Sequence, residues 1–249
     1  MGHEFYAQNR HQIYIGRDSY FHRLDDHIQS QDQPLIILGG SGSGKSALLA
    51  NWVIRNRYLH PDEKVLIHFI GSSPSSTDWM SMLRRILEEI KQIFQLHLKI
   101  PDKPDELRRV FTNALYQVSA LGKMIIILDG LNQLEDKDHA LDLVWLPSVV
   151  PENIRMILST LPGITLENLK KRNWPEFHVE PLDRCERLKL IENYLYLYSK
   201  KLDSHLAEKI VGSDQTANPL YLKVLLEELR IYGDYDNLNK KILEYLQTS

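Results

Sequence analysis

Cysteine is almost absent: Cys185 is the one thiol in 249 residues. That excludes an intrachain disulfide and any zinc site built on cysteines, and makes a reducing compartment the natural setting. No apolar run approaches the roughly 20 residues that span a bilayer. The N-terminal Met1-Gly2-His3-Glu4-Phe5-Tyr6 has no apolar signal core, and Tyr6 stands where a myristoylation signal wants serine or threonine. No membrane contact is expected, and a cytoplasmic location is. An excess of charge of one sign is lacking too. Thirty Lys and Arg against 33 Asp and Glu leave a net −3, so no basic field points to nucleic acid. The densest basic run, Lys170-Lys171-Arg172, is short enough to be a solvated helix end. Histidines at metal-ligand spacing, internal repeats and low-complexity tracts are also missing. The 43% hydrophobic and 25% charged residues are those of an ordinary globular protein, and the length suits one large α/β domain or a core with a small satellite.

What stands out against this background is Gly39-Gly40-Ser41-Gly42-Ser43-Gly44-Lys45-Ser46. It fits G-x-x-x-x-G-K-S/T, the P-loop pattern. Its surroundings fit as well. Leu35-Ile36-Ile37-Leu38 before it reads as a short buried strand, and Ala47-Leu48-Leu49-Ala50-Asn51-Trp52-Val53 after it as the first turns of a helix. A glycine-serine linker would have no reason to end in Lys-Ser or to be flanked this way. Glycines let the backbone curl and aim successive N–H groups at phosphate oxygens, and the positive end of the following helix faces the same place. Lys45 is expected to bridge the β- and γ-phosphates and the Ser46 hydroxyl to ligate Mg²⁺. Residues 39–46 and Ala47 form the expected nucleotide contacts.

Four more strand-like runs follow, at 64–70, 123–129, 154–160 and 176–180. The runs at 35, 123 and 154 are nearly continuously apolar, as strands covered on both faces are. Helical stretches at about 45–59, 77–97, 104–121 and 165–172 separate them, and over 78–98 Met82, Leu83, Ile86, Ile90 and Ile93 share one face. Strands alternating with helices predict a parallel sheet with right-handed crossovers. After Pro181 no strand is expected. Helices are predicted at 183–198, 204–211, 219–231 and 238–246, with Asp183 as an N-cap and Gly233 as a stop. The predicted architecture is an α/β P-loop NTPase core at residues 1–181, with a parallel five-stranded sheet flanked by helices, followed by a small all-α lid at 182–249.

Ile125-Ile126-Ile127-Leu128-Asp129 is a hydrophobic strand tipped by an acid, the Walker B arrangement. It delivers one carboxylate to the strand's C-terminal edge, where ligands of open α/β sheets bind, and Asp129 is a second expected Mg²⁺ residue. Amides follow at Asn132 and Gln133. A carboxylate there could take a proton from an attacking water, whereas an amide can only orient it. Gln133 is therefore a catalytic candidate beside Lys45 and Asp129, and hydrolysis is less securely indicated than binding. Glu135 and Asp136 offer carboxylates two or three residues further on.

Taken together, the chain resembles STAND-class, AAA+-related signalling ATPases, in particular NACHT-type modules of the nephrocystin and telomerase-associated-protein kind. Tyr14-Ile15-Gly16-Arg17-Asp18 is similar to the hydrophobic-Gly-Arg-acid motif that lies near the nucleotide base in these proteins. Leu128 to Asp136 is similar to their extended Walker B segment, Ile157-Leu158-Ser159-Thr160-Leu161-Pro162-Gly163 to their sensor strand, and Asn218-Pro219-Leu220-Tyr221-Leu222 to their lid motif. The resemblance implies that Gly16 and Arg17 lie near the base, that Ser159 and Thr160 face the γ-phosphate, and that Pro219 packs on adenine. Pro219 reads equally well as the first residue of a helix capped by Asn218. The sensor arginine of many NACHT proteins is absent.

The resemblance further implies an ATP/ADP- and Mg²⁺-binding switch in signal transduction, with slow hydrolysis. Self-association, or contact with a winged helix and a repeat array, is implied with it. No winged helix, repeat array or death-fold effector is evident, so an isolated core or a fragment of a larger protein is expected. The competing readings are a nucleotide-dependent oligomerisation scaffold with little turnover, an origin-recognition-like DNA-associated ATPase, and a small-molecule P-loop kinase. The acidic balance argues against DNA. The lack of an evident acceptor pocket argues against the kinase.

Overall fold

The computed structural model describes residues 17–73, 76–231, 242, 243 and 245. Tyr14, Ile15, Gly16, Gly233 and most of the helix expected at 238–246 lie outside the described residues. Five parallel strands form one sheet: β1 Leu35–Leu38, β2 Lys64–Phe69, β3 Met124–Asp129, β4 Ile154–Ser159 and β5 Glu176–His178, in the order β2-β3-β4-β1-β5. The three strands with nearly continuous apolar runs are the three interior ones, and every residue in them is buried. The edge strands carry exposed residues, Lys64 at the start of β2 and Glu176 and His178 flanking buried Phe177 in β5. Interior strands must be apolar on both faces because helices cover both. The ladders run slightly past the strand ends, with Ile70 N–H donating to Asp129 O (2.9 Å) and Thr160 N–H to Ile37 O (3.2 Å).

Helix α1 Asp18–Gln29 precedes β1, and α2 Lys45–Leu59, α3 Trp79–Phe94, α4 Pro104–Leu121 and α5 Ile164–Lys170 lie between the strands. In α3, Asp78 caps the first turn by accepting from Ser81 N–H (2.8 Å), and Gln95 closes the last turn in the left-handed region at φ 52°. Trp79, Met82, Leu83, Ile86, Leu87 and Ile90 make the buried stripe. Ile93, expected on that stripe, is 38% exposed as the helix runs out. Proline at the start of α4 lacks only an N–H that no helix turn would use, and Asp105 and Glu106 suit the positive end of the helix. Helix α1 is not foreseen from the sequence. Its segment is mostly polar, and only Leu24, His27 and Ile28 are buried.

Contacts divide the described residues into two units. Asp18–Gly40 and Lys45–His178 form the sheet unit; Arg17, the loop tip Ser41–Gly44 and the residues from Val179 onward form the helical unit. The sheet unit's core includes Trp79, Phe111, Ile126, Leu128, Met156 and Leu158. Full burial of each such side chain stabilises the fold by about 1.5–3 kcal/mol.

The helical unit holds α6 Arg184–Leu197, α7 Ser204–Val211, a 3₁₀ turn at Asp214–Ala217 and α8 Pro219–Ile231. Among the described residues it contains no strand. Its core includes Leu190, Ile191, Tyr194, Ile210, Leu222 and Leu226. Helix α6 opens on a capping box. Asp183 accepts from Glu186 N–H (2.7 Å) while Glu186 accepts from Asp183 N–H (2.9 Å), which satisfies two of the orphan donors of a helix start.

Candidate functional site

Within the sheet unit, β1 ends at Leu38 and the chain turns through Gly39 and Gly40. Lys45, the first residue of α2, folds its ammonium back onto that turn and donates to Gly39 O (2.7 Å) and Gly40 O (3.0 Å). The side chain is largely buried at 9% exposure. Burial pulls the Lys45 pKa below its ordinary value, and the nearby charge of Asp129 pulls the other way. The two residues therefore feel each other across the end of the sheet, although their strands are not neighbours. Strand β4 lies between β1 and β3. Ser46 and Ala47 follow in the first turn of α2, both half-buried.

Asp129 ends β3 and is buried. Its Oδ1 accepts a short hydrogen bond from the Ser159 hydroxyl at the end of β4, and that hydroxyl accepts from Gly130 N–H (2.8 Å). Ser159 is fully enclosed. Its hydroxyl thus spends both its donor and an acceptor lone pair on fixing the Walker B turn. Gly130 sits at φ 82°, where a side chain would be strained.

The amides after Asp129 take distinct places. Asn132 Oδ1 accepts from Leu161 N–H (3.1 Å), tying the Walker B segment to the loop after β4. Gln133 is exposed, and its side chain lies against Gly71 and Gly130, where a Cβ on Gly71 would run into Gln133 Oε1. Glu135 accepts from Thr77 Oγ1 (2.8 Å) and pairs with Lys137. The Lys137 hydrogen bond, then Thr77, holds the Glu135 carboxyl below its usual range.

In the helical unit, the loop tip carries Gly42 at φ 73° and Gly44 at φ 95°. Asn218 Nδ2 donates to Ser41 O (2.8 Å), and its Oδ1 accepts from Leu220 N–H (2.9 Å) and Tyr221 N–H (3.3 Å) at the head of α8. Leu220 N–H also reaches Gly42 O (3.3 Å). The Pro219 ring lies beside Gly44, with Cγ 3.8 Å from where a Cβ would be. Arg17 is buried and forks onto Glu186 at 3.1 and 3.3 Å, with Glu180 O at 2.9 Å. Sequence reasoning did not find Glu186 as the partner of Arg17, nor the bond from Asn218 to Ser41. The pairs are 169 and 177 residues apart, and no local pattern signals them.

Residues 1–141 match the model of the family described as Novel STAND NTPase 1. The chain belongs to that family. Among similar proteins, this STAND module is 29% identical to a TPR repeat-containing protein of Dictyostelium discoideum over 98% of its own length and 19% of the relative's. It is 35% identical to NACHT and WD repeat domain-containing protein 2 of Mus musculus over 84% of its length and 13% of that protein's. To mouse nephrocystin-3 the figures are 27%, 94% and 18%. The module thus spans about a fifth or less of these relatives. Solved structures share its fold: a Walker-type ATPase of Pyrococcus abyssi (TM-score 0.67, 17% identity, 93% of this chain and 72% of that one) and AMPPCP-bound DnaA from Aquifex aeolicus (0.55, 16%, 94% and 68%). The chain is a nucleotide-binding NTPase module of the STAND/NACHT kind with an α/β P-loop fold. No described helix is long and apolar enough to cross a membrane.

Proposed function

We propose that this module binds ATP and ADP with Mg²⁺ and works as a cytoplasmic signal-transduction switch with slow hydrolysis. The observation that carries the reading is the placement of Lys45 on the Gly39–Gly40 turn within electrostatic reach of Asp129. Lys45 brings a positive charge to the glycine turn at the head of α2, and nucleotide phosphates carry the complementary charge. The donor set suits Mg²⁺. Ser46 and Asp129 offer one hydroxyl and one carboxylate, two hard oxygens of the kind this ion takes when phosphates and water complete its shell. When bound, the metal would screen the phosphate charge. The chain's own work is to hold: Lys45 on the phosphates, Ser159 on the Asp129 carboxylate, with Gln133 to orient a water. Steady-state ATPase assays on wild type, Lys45→Ala and Asp129→Asn test this reading. Turnover in wild type alone is the expected result, and equal background rates in all three would overturn the catalytic half.

A second reading is a nucleotide-dependent scaffold for self-association, or for contact with winged-helix and repeat regions, without useful turnover. The positions of Asn132, committed to Leu161 N–H, and of Glu135, committed to Thr77 and Lys137, favour it. Glu135, held by Thr77 and Lys137, is a poorer base for an attacking water. Mg·ATP binding without phosphate release, together with particle growth in light scattering, would select it.

A further inference from the structure

We propose that Asn218 is a positioning residue for the phosphate loop, setting the direction of its backbone donors from the head of α8. The inference rests on the nucleotide-binding reading above. Asn218 uses both ends of its carboxamide. Oδ1 accepts from Leu220 N–H and Tyr221 N–H and so caps α8, while Nδ2 donates to Ser41 O at 2.8 Å. In a trans peptide the carbonyl and the following N–H point to opposite sides, and the described residues contain no cis peptide. Drawing Ser41 O toward Asn218 therefore turns Gly42 N–H away from it. The next peptide is treated the same way, because Leu220 N–H holds Gly42 O at 3.3 Å and so turns Ser43 N–H away from the helix start. Two successive N–H groups facing away from one anchor are the elements of an anion nest. The packing leaves no slack. A Cβ on Gly42 would lie 2.6 Å from Asn218 Oδ1 and 3.0 Å from Leu220 Cβ. The class of ligand served is a polyphosphate, and Asn218 acts on it only through the loop.

Capping and loop pinning can be separated. Serine and aspartate cap helices about as well as asparagine, but neither carries an amide that reaches Ser41 O. Calorimetric titration with Mg·ADP and Mg·ATP, alongside thermal melts, should be run on wild type, Lys45→Ala, Asn218→Ser and Asn218→Asp. The expected result is a near-wild-type melting temperature for both Asn218 variants with Kd raised about tenfold in Asn218→Ser, the worth of one oriented hydrogen bond. The loss should be larger in Asn218→Asp, whose charge opposes phosphate. Wild-type affinity in Asn218→Ser, while Lys45→Ala has lost binding, overturns the proposal and leaves the nucleotide reading standing. Lowered melting temperatures in both variants with unchanged affinity of the folded protein also overturn it, since they mark a cap alone. Wild type failing to bind either nucleotide overturns both readings.

Discussion

The sheet unit and the helical unit place their polar groups differently. In the sheet unit the decisive polar contacts are enclosed at the sheet's end, where Asp129, the Ser159 hydroxyl and Gly130 N–H bond one another beneath apolar strands. In the helical unit they sit at helix ends. Arg187 gathers Val211 O (2.8 Å), Ser213 O (3.0 Å) and Thr216 Oγ1 (3.2 Å), and the Asp183–Glu186 box and Asn218 cap two helix starts. Strands satisfy their backbone through neighbours, so side chains there are free for site chemistry. Short helices leave four donors and four acceptors open at each pair of ends, and side chains are spent on closing them. The sheet unit is therefore held by its apolar core, and the helical unit depends more on polar joints.

Phe111, Arg187 and His27 each probe a different part of this contrast between the units. The largest effect should come from Phe111→Ala. Phe111 is fully buried, and a cavity in a close-packed core should remove about 3–5 kcal/mol from urea unfolding. Arg187→Ala should come next, at about 1.5–3 kcal/mol, because Val211 O, Ser213 O and the Thr216 hydroxyl each lose a bond from a charged donor, although Ser213 O and Thr216 keep other partners. Hydrogen exchange should place that loss in residues 179–231. A loss spread evenly over both units would contradict the division between them.

The smallest effect should be the pH response of His27. This buried side chain contacts Met156 O through Nε2 (3.2 Å). Burial, with help from the Arg155 charge, lowers its pKa below 6.5, against the raising effects of the Met156 carbonyl and Asp32. The unfolded chain then binds the proton more readily than the folded one. Stability should hold above the ordinary value and decline as pH falls through it toward the lowered one. Melting temperatures from about pH 8 to about pH 5 should show that decline, and His27→Gln should flatten it.

Much of the site was legible because its signals are local. A glycine-rich turn between an apolar strand and a helix, and an apolar strand ending in aspartate, lie within a dozen residues each. The interior strands were recognisable by their nearly continuous apolar runs for the same reason. Helix α1 escaped because three buried residues in twelve make a faint stripe. The positions of Ser159 and Arg17 escaped for a different reason. Sequence marks both as expected nucleotide residues and carries no sign that the Ser159 hydroxyl meets Asp129 or that the Arg17 guanidinium meets Glu186. Those partners are 30 and 169 residues away in the chain, and spacing along a sequence says nothing about which ends of a sheet converge.

The sequence by itself determined the class of element at most positions and the presence of a phosphate loop, since propensity, apolar period and glycine placement act over a few residues. Tertiary structure alone decided that β4 lies between β1 and β3, that Ser159 holds the Walker B carboxylate, and that the tip of the loop hangs from Asn218. Each of those outcomes is a pairing between distant segments. Hydrogen-bond direction and close packing select such pairings only once the chain has folded back on itself.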